Sequence, residues 1–185
     1  MNDAQYLTKI IEELSKSAEL ISDLEVDRLS DQIIKSKKIF VTGAGRSGLM
    51  GKSFVMRMMH LGIDAYVVGE TITPNFEDDD LLIIGTGSGE TKTLIPIAKK
   101  AKSLGGTVVA VTISPESTIG KLSDFIVKLP GAPKDQSEGD YNTIQPMGSL
   151  FEQTMLLFYD ATILSVMEKK RLDSNKMYGR HANLE

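Results

Sequence analysis

Two stretches of this chain are suited to hold an anion. Thr42-Gly43-Ala44-Gly45-Arg46-Ser47-Gly48 follows the apolar run Ile39–Val41, and Gly85-Thr86-Gly87-Ser88-Gly89-Glu90-Thr91 follows Leu81–Ile84. Each leads into a segment with helical periodicity. A strand that enters a helix through glycines lets the backbone approach an anion closely. The free N–H groups of the helix start, and its dipole, favour negative charge there. Serine and threonine hydroxyls add neutral donors. One such turn is common. Two in a small domain point to one phosphorylated ligand held between neighbouring strand ends.

Three titratable side chains could act on such a ligand. Glu152 stands among Leu150, Phe151, Met155, Leu156 and Leu157, in the first turn of a helical segment. A carboxylate that loses hydration in apolar surroundings becomes a better base. It can equally be a capping carboxylate on the helix dipole, and the residues alone leave both readings open. The two histidines are His60, at the end of a helical segment, and His181, in the polar tail. Without further context both read as structural. Glu77-Asp78-Asp79-Asp80 has carboxylates enough for a metal but no histidine nearby, and reads as a solvated acidic turn. No metal is expected. Glu13, Glu19 and Glu25 read as solvated helix faces, and Met56, Met58 and Met59 as core or interface filler.

The first loop also fits the spacing of a dinucleotide site, glycine at Gly43, Gly45 and Gly48. Glu70 lies about where a ribose-binding acid would stand, ~20 residues on. The hydroxyl of Ser47 and the second socket favour a phosphate ester, and the nucleotide reading stays as its rival.

Around these residues the periodicity predicts alternating helices and strands. Ala4–Ile21 is an amphipathic helix, Asp23 opens a polar break, and Val26 to Ile34 is a second helix. Strands follow at Ile39–Val41, Ala65–Val68, Leu81–Ile84, Val108–Val111 and Phe125–Leu129. Helices are predicted over Ser47–His60, Thr91–Leu104, Pro115–Leu122 and Leu150–Met167, with a long loop from Pro130 to Gly148. Apolar strands alternating with helices indicate an α/β fold, a five-stranded parallel sheet covered on both faces by helices. Ligands of such sheets sit beyond the carboxyl ends of the strands, where both glycine loops lie.

The chain has 185 residues, 21 basic and 25 acidic, with a formal net charge of −4. That disfavours nucleic acid as a partner, since such binding needs a basic face. Cysteine is absent, which excludes disulfides and thiol chemistry and fits a reducing cytoplasm. No leader and no membrane-spanning run is visible.

The second loop, Gly85 to Thr91, resembles the glycine-serine-glycine-glutamate-threonine signature of sugar isomerase (SIS) domains. The first loop, the acidic turn and the glutamate opening the last long helix fit the same domain. The likeness covers about Leu29 to Arg171, leaving a helical extension over residues 1–28 and a tail over 172–185. No segment resembles the regulatory nucleotide-binding pair of arabinose 5-phosphate isomerases or the DNA-binding domain of sugar-responsive repressors. Gly45-Arg46-Ser47-Gly48, Met56-Arg57-Met58-Met59-His60-Leu61-Gly62 and the tail Arg180-His181-Ala182-Asn183-Leu184-Glu185 resemble the 6-phospho-3-hexuloisomerase family.

That resemblance implies a ketose–ketose isomerase of the ribulose monophosphate pathway of formaldehyde fixation, acting on a sugar phosphate without a cofactor, as a homo-oligomer, a tetramer in the family. It assigns phosphosugar binding to Ser47, Thr86, Gly87, Ser88, Gly89, Glu90 and Thr91. It matches Glu152 to the family's catalytic base, with His60 and His181 as its partners.

Overall fold

The computed structural model describes residues 3–132, 143–173 and 177–184. Five parallel strands form one sheet in the order β2-β1-β3-β4-β5. They are β1 Ile39–Gly43, β2 Ala65–Val67, β3 Leu81–Gly85, β4 Thr107–Thr112 and β5 Phe125–Lys128. The helices are α1 Asp3–Ala18, α2 Asp23–Lys35, α3 Gly45–Leu61, α4 Ile95–Ser103, α5 Thr118–Leu122 and α6 Ser149–Lys170. The parallel sheet with helices on both faces is the architecture expected.

Alternation along the strands divides the core. Ile39, Val41, Leu81, Ile83, Val109 and Val111 pack on one face against Leu29 and Ile33 of α2, Phe54 and Met58 of α3, and Phe151, Met155 and Phe158 of α6. Phe40, Leu82, Ile84, Val108 and Ala110 pack on the other against Ala98 and Ala101 of α4 and Ile119 of α5. Strands buried on both faces read as continuous apolar runs for this reason. Phe54 stacks on Tyr159 of α6 with ring centroids 4.2 Å apart, tying α3 to α6.

Several expectations change. Asp23 is the first residue of α2, because Ser22 caps the helix and Glu25 completes a capping box. The Glu25 carboxylate also accepts from the Lys128 N–H at 2.9 Å, so it is not a free surface charge. Glu13 is likewise engaged, accepting from Thr143, Ile144 and Gln145. The helix expected from Thr91 starts at Ile95, with Pro96 in its first turn, where a missing N–H costs nothing. The helix expected from Pro115 begins at Thr118, where Ser117 caps it. The acidic turn is not wholly solvated. Asp80 is buried and accepts from the backbone N–H of Lys38 and of Glu77, joining the start of β3 to the start of β1. Lys38 reaches Glu77 and Asp80, and its hydrogen bond pulls the Glu77 carboxyl down to about 2. Of the three methionines only Met58 is buried; Met56 and Met59 are exposed. Within the loop expected from Pro130 to Gly148, residues 133–142 lie outside the described residues, as do 1–2, 174–176 and 185 at the two ends.

The chain passes to β2 on one side of β1 and to β3 on the other, so the crevice between β1 and β3 is where a ligand site is expected. It closes tightly at its base. A Cβ on Gly48 would lie 2.6 Å from the Gly43 carbonyl oxygen, and one on Gly43 would lie 3.0 Å from the Gly85 oxygen. The obstructing atoms are backbone and cannot swing away. Gly48→Ala is therefore expected to destabilise the fold by about 1–3 kcal/mol through overpacking. Urea unfolding of the two proteins measures this, and an unchanged midpoint would show that α3 can move off β1.

Candidate active site

At the carboxyl ends of β1 and β3 lies a cavity of about 150 Å³. Ala44 and Ser47 at the start of α3, Gly85 to Ser88 and Thr91 from the second loop, and Gly148, Phe151 and Glu152 at the start of α6 line it, with Ile113 and Ala132. Both glycine loops thus face one space.

The start of α3 is uncapped: Ala44 at the N-cap makes no side-chain hydrogen bond. Its amides and the positive end of its dipole are left to a ligand. Gly45 has φ +58°, the left-handed region that favours glycine, and turns the chain from β1 into the helix.

The second loop is held from behind. The Gly87 carbonyl accepts from Ile113 N–H at 3.2 Å and from the Thr112 hydroxyl at 3.1 Å. Gly89 has φ +65° and packs on Ser117, so closely that a Cβ would overlap its side chain. The Thr86 hydroxyl accepts from Gly89 N–H at 3.2 Å, and that of Ser88 accepts from Glu90 N–H at 3.2 Å. An accepting hydroxyl still has a proton to give, so the exposed Ser88 can donate outward. Glu90 does not line the cavity. Its carboxylate accepts from Thr118 N–H at 2.7 Å at the start of α5, and that bond holds the carboxyl below the usual range. Glu90 thereby locks the loop to α5 and keeps its own charge away from the anion socket.

Among the described residues, Glu152 is the one charged group in the lining. It is 8% exposed. Glu152 stands in the first turn of α6, where a carboxylate complements the helix dipole, and the N-cap Gly148 has no side chain to cap the helix. The Glu152 Oε2 accepts from Arg46 Nη1 at 3.0 Å, and Arg46 also donates to the Ser149 hydroxyl at 2.9 Å. Oε1 lies at the side of Gly148, where a Cβ would stand 3.7 Å away. No hydrogen bond from the described residues reaches it. Arg46 and Gly148 are site residues that reasoning from the sequence misses. A cation inside an anion socket is the available signal for Arg46; nothing near Gly148 marks it.

The histidines lie elsewhere in the same chain. His60 follows Ser47 by three and a half turns of α3, which at ~1.5 Å per residue sets it about 20 Å away along the axis. It stacks on His181 with ring centroids 5.4 Å apart, and its Nδ1 lies 3.4 Å from Arg57 Nη1. The Arg180 guanidinium covers Gly62 at the end of α3. Arg180 and His181 of the tail thus lie against the end of α3, and among the described residues no tail side chain lines the cavity with Glu152. Glu70, the rival ribose acid, is tied to Lys52 at 2.6 Å.

The SIS domain family matches residues 32–157. The chain belongs to the SIS-domain family. Among SIS-domain proteins it is 61% identical over 185 residues, all of both chains, to the 3-hexulose-6-phosphate isomerase of Bacillus subtilis (strain 168). It is 35% identical over 179 residues to the 3-hexulose-6-phosphate isomerase of Mycobacterium gastri, covering 97% of this chain and 89% of that one. A crystal structure of a hypothetical protein from Methanococcus jannaschii, for which a molecular function of 3-hexulose-6-phosphate isomerase is inferred, superposes with a TM-score of 0.85 at 36% identity, over 98% of this chain and 99% of the other.

His60 is 4% exposed, and burial, then Arg57 and His181, lowers its pKa. A histidine kept neutral in the folded state takes up a proton more readily when unfolded, at about 6.5. Stability is therefore full above that pH and falls as pH drops below it toward the folded pKa. Thermal unfolding between pH 7.5 and 5 should show this loss, and His60→Phe should flatten the profile. An equally steep profile in the variant would mean that another group is responsible.

Proposed function

We propose that the chain is a 3-hexulose-6-phosphate isomerase, interconverting arabino-hex-3-ulose 6-phosphate and fructose 6-phosphate. The observation that carries this reading is the 61% identity, end to end, with a protein of that name. The cavity supplies the means. Neutral donors and a helix start suit the phosphate, and one carboxylate faces the carbon skeleton.

The phosphate docks on the Thr86–Thr91 loop and the start of α3 at Ser47. Gly87 and Gly89 contribute backbone there, Thr86, Ser88 and Thr91 hydroxyls, and Glu90 fixes the loop. The ketose carbonyl at the third carbon cannot close a five- or six-membered ring while the sixth oxygen is phosphorylated, so this substrate binds open. Glu152 takes the proton from the second carbon, leaving a cis-enediol, and returns it to the third. The hydroxyl proton on the second carbon's oxygen moves the same way, to the oxygen of the third, so both hydrogens pass from the second carbon to the third. The rearrangement is redox-neutral within one molecule and uses no electron carrier. Arg46 occupies Oε2 and so presents Oε1 as the reacting oxygen.

Uniting a base, a phosphate socket and a carbon acid in one cavity supplies proximity and orientation, which together remove several kcal/mol of barrier. Glu152→Gln should lower turnover by more than about a thousandfold while phosphosugar affinity is kept. Ser88→Ala should do the reverse and weaken binding. Carbon-bound proton exchange of fructose 6-phosphate in deuterated water, followed by NMR without added cofactor, reads the chemistry directly. Binding without exchange would mark a phosphosugar sensor of the same fold, and turnover within tenfold in Glu152→Gln would remove Glu152 as the base.

His60 and His181 lie too far from Glu152 to serve it within one chain, so we assign any catalytic part of theirs to the site of a neighbouring subunit. Exposed Tyr6, Leu7 and Ile11 on α1, Leu49, Met56 and Met59 on α3, and Leu157 and Leu164 on α6 supply apolar surface for a homo-oligomer. A tetramer is the state proposed, in the cytoplasm, where a chain without cysteine needs no oxidising compartment. Among the described residues no helix is long and apolar enough to cross a membrane. Light scattering should give a mass near four chains of 20.2 kDa each. A monomer at micromolar concentration would overturn both the assembly and the shared-site role of the histidines.

A further inference from the structure

Glu13 of the N-terminal helix is joined to the stretch that leads into the cavity wall. The Glu13 carboxylate accepts from the Thr143 hydroxyl at 2.6 Å, from Ile144 N–H at 2.9 Å and from the Gln145 side-chain amide at 3.1 Å. Gln145 N–H also donates to the Thr143 hydroxyl, at 3.0 Å. Three consecutive residues are thus gathered onto one charge located on α1.

Immediately beyond Gln145 the chain becomes the wall of the site. Met147 has φ +59°, a left-handed conformation that a non-glycine residue keeps only when its surroundings impose it. Gly148 lines the cavity, and Ser149 begins α6 with its hydroxyl bound to Arg46. Glu152 stands one turn further on. The stretch 143–149 is therefore held at one end by Glu13 and at the other by Arg46. Burial works against the Glu13 charge, yet the three donors and Lys9 outweigh it and hold the carboxyl below its ordinary range. An ionised acceptor makes the stronger hydrogen bonds such a clasp needs.

We propose that Glu13 is a positioning residue of the active site: by clasping Thr143, Ile144 and Gln145, it fixes the stretch of chain that delivers Gly148 to the cavity wall and Glu152 to the reacting carbons. The proposal rests on the isomerase reading for its kinetic test and on the geometry alone for its exchange test. Among the described residues the hydrogen bonds of Glu13 go to Thr143, Ile144 and Gln145 and not to the phosphate loop or α3, so the loss on removing it is expected in the chemical step.

The experiment compares the full-length parent with Glu13→Ala, Glu13→Gln and Thr143→Val, below the unfolding temperature of each. For Glu13→Ala, kcat should fall about tenfold or more, with KM changed less than about threefold. Thr143→Val should give a smaller loss of the same kind. Glu13→Gln removes the charge and one of the two acceptor oxygens, so its loss should fall between the parent and Glu13→Ala. Hydrogen exchange at residues 143–152 should accelerate in Glu13→Ala while exchange at 86–91 stays unchanged. Unaltered kcat, a loss carried wholly by KM, or unaltered exchange at 143–152 overturns the proposal. An inactive parent overturns the isomerase reading instead, and the exchange measurement still decides the clasp.

Discussion

At the end of β1 the backbone packs tightly against backbone on two sides. Gly43 meets Gly48 of α3 on one side and Gly85 of β3 on the other, at distances that leave no room for a Cβ. Because α3 sits this close, its uncapped start opens directly beside the end of β3. Because β3 ends in glycine, the second loop turns into the same space. A wider separation would leave two independent anion sockets. The close approach makes them one cavity, and everything that surrounds the cavity is arranged about that contact.

Charge is distributed around this cavity with some economy. The socket uses backbone amides, a helix dipole and hydroxyls, which attract a phosphate without placing a cation in the lining. Glu90 belongs to the loop yet is turned away to the start of α5, where a carboxylate complements the dipole instead of repelling the ligand. Glu152 is nearly enclosed, and Arg46 Nη1 lies 3.0 Å from its Oε2. Pairing one oxygen and leaving the other at the open side of Gly148 gives a base a defined direction.

Distant parts of the chain act on the same few atoms. Glu13 on α1 and Arg46 on α3 hold the two ends of the segment that leads into α6. Phe54 and Tyr159 lock α3 to α6 beneath the floor. At the opposite end of α3 the tail covers Gly62 and sets His181 against His60. A single helix thus spans from the phosphate socket to the docked tail.

Much of this is legible in the residues alone. Runs such as Leu81–Ile84 and Val108–Val111 announce buried parallel strands, and glycines with hydroxyls at strand ends announce the two halves of the site, because both patterns are local and carry their physics within a few residues. Glu152 stands out for its apolar company. Other features depend on pairs far apart in the chain. Glu13 resembles a solvated helix charge because its partners lie some 130 residues away. Asp80 resembles an exposed turn residue because the backbone donor of Lys38, 42 residues away, is brought to it only by sheet pairing. The helix after Thr91 starts later than its periodicity suggests, since the bonds that keep the glycine loop extended come from β4 and α5. Residue types and spacing determined the fold class and singled out the two glycine loops and Glu152, which line one cavity. Only the tertiary structure decided which side chains face the cavity, which charge pairs with Glu152 and that His181 stacks on His60, because those are distances between elements and no local pattern contains them.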